Sequence, residues 1–174
     1  NLRSCGEGCL EVWIGRIGDN YWSGRCKVFE QAITLKVVNP DAITSAVLEY
    51  AKWDDYMQVW LGDQKVWSGP NNNFPPETAG RCELSTSWER NPNTDLTAKL
   101  KAVEPGLEVP VKIRVSVTGS GEGYARIKVR FDPTKVVMND SWSPQSCIEQ
   151  AADIPTKFSD YSIQCTDQPS STNG

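Results

Sequence analysis

The chain has 174 residues, of which 39% are hydrophobic and 23% charged, with a net charge of −4 and no histidine. That length suits one domain, or one domain with a small appendage, and the apolar fraction is enough for a core. The acidic balance argues against nucleic acid, whose phosphates need a basic surface. The missing histidine excludes Ser-His-Asp and Cys-His nucleophiles and histidine metal ligands, and no apolar run approaches a transmembrane span.

Residues 1–31 are dense in Gly, Cys and Trp, which predicts a loop-rich, disulfide-stapled entry segment with a short strand at Val12, Trp13 and Ile14. Ile33, Leu35 and Val37 alternate with more polar neighbours, the period of a half-buried strand. A turn at Asn39, Pro40 and Asp41 leads to a second strand within residues 42–52. In the third, Met57, Val59 and Leu61 face one way and Tyr56, Gln58 and Trp60 the other. Gly62, Asp63 and Gln64 turn the chain into a fourth strand at Lys65, Val66 and Trp67.

Residues 68–80 contain three prolines and three asparagines, a composition that suits neither helix nor ladder strand. Leu96, Leu100 and Val103 have helical spacing, cut short by Pro105 and Gly106. Val109, Val111, Ile113, Val115 and Val117 alternate with polar residues, as do Ala125, Ile127, Val129 and Phe131. With Gly119, Ser120, Gly121, Glu122 and Gly123 between them, they predict a long antiparallel hairpin with one buried face. Ser143 and Pro144 read as the cap of a short helix over residues 145–152 that bears Cys147 and ends at Pro155. Many short strands and little helix predict a mainly β fold, an antiparallel β-sandwich. Residues 1–165 form one domain: an entry segment (1–31), the sandwich (32–140) and a helix with a cysteine staple (141–165). A polar tail (166–174) follows.

Cys5, Cys9, Cys26, Cys82, Cys147 and Cys165 are even in number, irregularly spaced and unaccompanied by histidine, so disulfides are a better reading than zinc. All six are expected to be oxidised, with Cys147 joined to Cys165 across their short separation; pairing among the other four stays open. Disulfides imply an oxidising compartment, and the chain reads as a mature or excised piece of a larger exported protein.

Each candidate site has a plainer explanation. Asp54, Asp55 and Asp63 could hold Ca²⁺ but also suit ordinary turns; no metal and no cofactor is assigned. The seven tryptophans could stack on sugars or a partner, yet most are expected in the core, with two partly exposed. Lys112, Arg114, Arg126, Lys128 and Arg130 fall on the outer face of the predicted hairpin; they could attract an acidic partner or be answered by neighbouring carboxylates. On a rigid sandwich, binding belongs to the loops. The candidates are Asn71, Asn72, Asn73, Phe74, Pro75, Pro76 and Glu77, with Phe74 at the tip, and Gly119, Ser120, Gly121, Glu122, Gly123 and Tyr124.

Asp95-Leu96-Thr97, Leu100 and Pro105-Gly106 before an alternating strand resemble a galactose-binding-type jelly roll. A second resemblance joins Asp54-Asp55, Met57-Gln58-Val59-Trp60, Val66-Trp67 and Gly69-Pro70 with Asn73-Phe74-Pro75-Pro76-Glu77. Adding Cys82-Glu83-Leu84-Ser85-Thr86-Ser87-Trp88, Trp142-Ser143-Pro144, Cys147 and Cys165, the chain resembles TraN, the outer-membrane mating-pair stabilisation family of F-like conjugation systems. This resemblance covers roughly residues 50–165. It implies a distal tip domain on the donor cell's outer membrane, facing outward and not itself spanning it. The tip would bind a recipient outer-membrane β-barrel protein of porin type, and other conjugation proteins of the donor are further candidate partners. A galactose-binding-type carbohydrate module is the alternative. Neither is an enzyme.

Overall fold

The computed structural model describes residues 2–15, 21–75, 88–135 and 147–160. Two antiparallel sheets face each other across one core. Sheet A runs β1 (Leu2–Gly6), β2 (Cys9–Gly15), β10 (Gly123–Phe131), β4 (Ile43–Trp53), β7 (Trp88–Arg90), with β8 (Thr94–Asp95) also on β4. Sheet B runs β11 (Ile148–Asp160), β3 (Tyr21–Val37), β9 (Glu108–Gly121), β5 (Tyr56–Leu61), β6 (Gln64–Gly69). This is the antiparallel β-sandwich that the alternating patterns predict.

The inward positions are those the period of two selects. Ile33, Leu35, Val37, Met57, Val59, Val111, Ile113, Val115 and Val117 from sheet B meet Val12, Ile14, Leu48, Ile127 and Val129 from sheet A. Leu96 and Leu100, at either side of the first turn of α1 (Thr97–Lys101), add to the same core.

Four expectations need correction. First, β9 and β10 are not a hairpin: β9 pairs with β3 and β5, β10 with β2 and β4, so the two strands lie in opposite sheets. Alternation marks a buried face but not the neighbour that supplies the ladder. Second, the entry segment is strand-rich: β1, β2 and the start of β3 fall within it. Third, the described part of residues 145–152 is not helical. From Ile148 the chain pairs with β3, and Pro155 lies within β11 at an irregularity between Ile154 and Lys157. Local helix signals yield there to a long edge pairing; Ser143 and Pro144 lie outside the described residues. Fourth, Cys147 is a buried free thiol, whereas Cys5 and Cys9 form a disulfide across the β1–β2 turn. Burial pushes the Cys147 thiol up to about 11, and its carbonyl accepts from the Val38 and Asn39 N–H groups. The Cys26 side chain, Cys82, Cys165 and the tail lie outside the described residues.

Among the described residues every sheet edge is short or interrupted. β1 has five residues and a register shift between Ser4 and Gly6; β7 has three residues. β6 carries Val66 as an extra residue opposite the Val59–Trp60 step, and β11 shifts register at two places.

Candidate functional site

At one end of the sandwich β4 gives way to β5 through Asp54 and Asp55, and β9 to β10 through Glu122 alone. The Asp54 N–H donates to the Glu122 carbonyl at 3.0 Å and the Asp55 N–H to the Ser116 carbonyl at 3.0 Å, which ties the two crossings together. The Glu122 carboxylate lies 3.3 Å from Lys52 Nζ and raises that ammonium above its usual range. Burial, and then the Glu122 charge, push the Asp54 carboxyl up, against a hydrogen bond from Asp55 that lowers it. The strand ends meet closely enough to require glycine. A Cβ on Gly123 would sit 2.5 Å from Val115 Cγ2, and one on Gly69 2.4 Å from the Trp67 ring.

The loop after β6 reaches the same end. The Ser68 hydroxyl bonds the Asn71 carbonyl at 2.7 Å and Asn72 Oδ1 at 3.0 Å, and the Asn73 N–H donates to Asn71 Oδ1 at 2.9 Å. Asn71, Asn72 and Asn73 are exposed. Phe74 is not at the tip: it is 1% exposed and packs with Val28 and Tyr56, while Pro75 is buried beside it. The reason lies in the outer face of sheet B. Val28, Ser116 and Tyr56 form one cross-strand row there, an apolar patch on the far side of the sheet from the main core. The Phe74 ring covers it. The Arg114 guanidinium lies 5.2 Å from the ring centroid and donates to Gln58 Oε1 at 3.0 Å. Pro76 and Glu77 lie outside the described residues.

The second predicted loop is also different in form. β9 extends through Gly119, Ser120 and Gly121, which pair with Ser23, Trp22 and Tyr21, so no free turn projects there. Tyr124 is buried, its ring 6.0 Å from Trp13 and 5.8 Å from Tyr50. Burial and a hydrogen bond to Glu89 raise the Tyr50 hydroxyl. The structure therefore brings Asn71, Asn72, Asn73, Glu122 and Tyr124 to one end and leaves only the asparagines fully open.

Four of the five basic residues are answered by carboxylates, and Arg130 is exposed. Glu30 faces Lys112 at 3.3 Å and Arg114 at 3.8 Å; Glu49 faces Arg126 at 2.7 Å and Lys128 at 3.5 Å. The Arg126–Glu49 pair is close but not aligned as a hydrogen bond, and both atoms are buried. Because β9 and β10 lie in different sheets, the five cations divide between two outer faces and form no stripe. Among the tryptophans whose side chains are described, only Trp53 is fully buried; Trp13, Trp60, Trp67 and Trp88 are half-buried, more than the two expected. Cations cover three of them: Arg3 and Arg126 at 5.3 and 5.2 Å from Trp13, Lys112 at 5.2 Å from Trp60, Arg90 at 5.0 Å from Trp88.

Asp63 lies in the β5–β6 turn, at the opposite end from Asp54 and Asp55, so the three do not converge. Among the described residues no group of three or more acidic or cysteine side chains is placed to hold a metal, and no helix is long and apolar enough to cross a membrane. Nothing local in the sequence marks Val28 or Lys52, or joins Tyr56 and Arg114 to Phe74. The one hint is Phe74 itself, a lone large apolar group that needs cover. The chain matches no family model, no curated protein and no solved structure.

Proposed function

We propose that this chain is an extracellular receptor-recognition domain, adhesin-like and without enzymatic activity, that binds a recipient outer-membrane protein and stabilises mating pairs in conjugation. The resemblance to TraN supplies the biological setting: the outward face of the donor outer membrane, with a porin-like β-barrel as receptor. The observation that carries the reading is the convergence of residues 54–55, 68–75 and 122 at one end of a rigid sandwich, with three exposed asparagines at its surface. The Cys5–Cys9 disulfide is in keeping with an oxidising compartment. A carbohydrate module would need an open aromatic face for a sugar ring. Here the half-buried Trp13, Trp60 and Trp88 rings carry cations, which favours protein recognition.

The test is capture of the protein by outer membranes from recipient strains that each lack one outer-membrane protein. We expect capture to vanish in one strain and persist in the others. Capture that never depends on a single protein, or is absent from all strains, overturns the proposal.

A further inference from the structure

We infer that Phe74 is a positioning residue, pinned beneath Arg114 so that Asn71 and Asn72 are held as a crown of amide N–H donors for main-chain carbonyl oxygens of a partner's loop. This rests on the recognition reading above.

Residues 68–73 bond among themselves, through Ser68, Asn71, Asn72 and Asn73. Ser68 belongs to β6 and pairs with Gln58, so its bonds tie the start of the loop to the sheet; the far end, after Asn73, needs its own anchor. Phe74 supplies it. Its ring fills the space over Val28 and Tyr56, and Arg114, itself held by Gln58 and near Glu30, closes over it. A loop docked in advance loses less freedom on binding.

The bonds also set which atoms face outward. Asn71 Oδ1 accepts from the Asn73 N–H, so the Asn71 amide oxygen points into the loop and its NH₂ group away from it. Exposed donors select acceptors. The charges nearby narrow the choice: Asp54 and Glu122 stand at this end against Lys52, which is already engaged with Glu122. A partner carboxylate would meet like charge, whereas a neutral carbonyl would not.

The probe is vesicles of recipient outer membrane on a sensor surface. Asn71→Asp keeps an oxygen for the Asn73 N–H but presents oxygen outward. We expect its affinity to fall roughly tenfold or more, with an unchanged melting temperature. Phe74→Ser should bind more weakly per folded molecule and show faster hydrogen exchange at the Asn73 amide. Should Phe74→Ser fail to fold, Arg114→Gln is expected to give a smaller loss of the same kind. Parent-like binding by Asn71→Asp overturns the donor crown while leaving the recognition reading intact. Unchanged Asn73 exchange in Phe74→Ser and Arg114→Gln overturns the pin without any partner present. Binding that survives protease treatment of the vesicles assigns the acceptors to surface glycans instead of protein carbonyls. A parent that binds no recipient vesicle removes both readings.

Discussion

On the outer face of sheet A, Glu49 sits between Arg126 and Lys128; on that of sheet B, Glu30 sits between Lys112 and Arg114. The two faces share one device, a carboxylate on one strand answering two cations two residues apart on its neighbour. They are finished differently. Sheet A leaves Trp13 and Tyr50 half-buried against guanidinium groups, with Tyr124 beneath them. Sheet B covers its end row with Phe74, which packs on Val28 and Tyr56; Gln58, Ser116 and Asp55 are buried in the same sheet end. One carboxylate shared by two cations leaves each face less positive charge to offer a partner. A face closed by a loop can hold that loop in one place, so position rather than charge marks the recognition end.

The largest expected effect tests whether both faces hang on one core. Ile113→Ala removes a fully buried side chain from between the sheets and should cost about 2–5 kcal/mol in denaturant unfolding. A loss below about 0.5 kcal/mol, the size of a surface change, would mean the strand faces are reversed.

Phe74→Ala should affect sheet B alone. Its cluster is small, so we expect about 1–3 kcal/mol. Hydrogen exchange should quicken in β5 and in the loop after β6 while β2 and β10 stay protected. Equal loosening of both sheets would dissolve the contrast drawn between them.

Glu49→Gln and Glu30→Gln compare the shared device directly. Each should cost on the order of 0.5–1 kcal/mol. Glu49 should cost more, because its Oε1 and the facing Arg126 Nε are buried. Both losses should shrink in 1 M salt, the Glu30 loss further.

The smallest effect concerns Asp54. Its folded carboxyl is raised, chiefly by burial, so the folded state holds the proton more tightly than the unfolded chain. Stability therefore falls as pH rises from the ordinary carboxylate value through the raised one, and the penalty persists above it. Asp54→Asn should raise the melting temperature at neutral pH, and this gain should fade in acid below the unfolded carboxylate range. A gain independent of pH would assign the effect to packing.

Much of the core is legible in the sequence because burial on one face of a strand leaves a period of two, plain at Ile113, Val129 and Ile33. Which strands pair is not legible. Alternation in residues 109–117 and 125–131 is the same whether they meet in one sheet or face each other across two. The charges mislead for the same reason. Nothing near Lys112 or Lys128 in the chain reveals their carboxylate partners, since Glu30 and Glu49 lie on strands far away in sequence. At the site, the loop and its asparagines can be read from composition. The fate of Phe74 cannot, because Val28 and Tyr56 come from two separate strands.

The interrupted edges have a consequence for crowding. A strand that recruits a copy of itself needs several consecutive unpaired N–H and C=O groups in register. β1 and β7 are too short to offer them, Val66 breaks the run on β6, and two register shifts break it on β11. Among the described residues, copies of this domain packed side by side therefore meet no continuous template along which to polymerise. Dense display leaves them as separate molecules, each with its loop end open to solution.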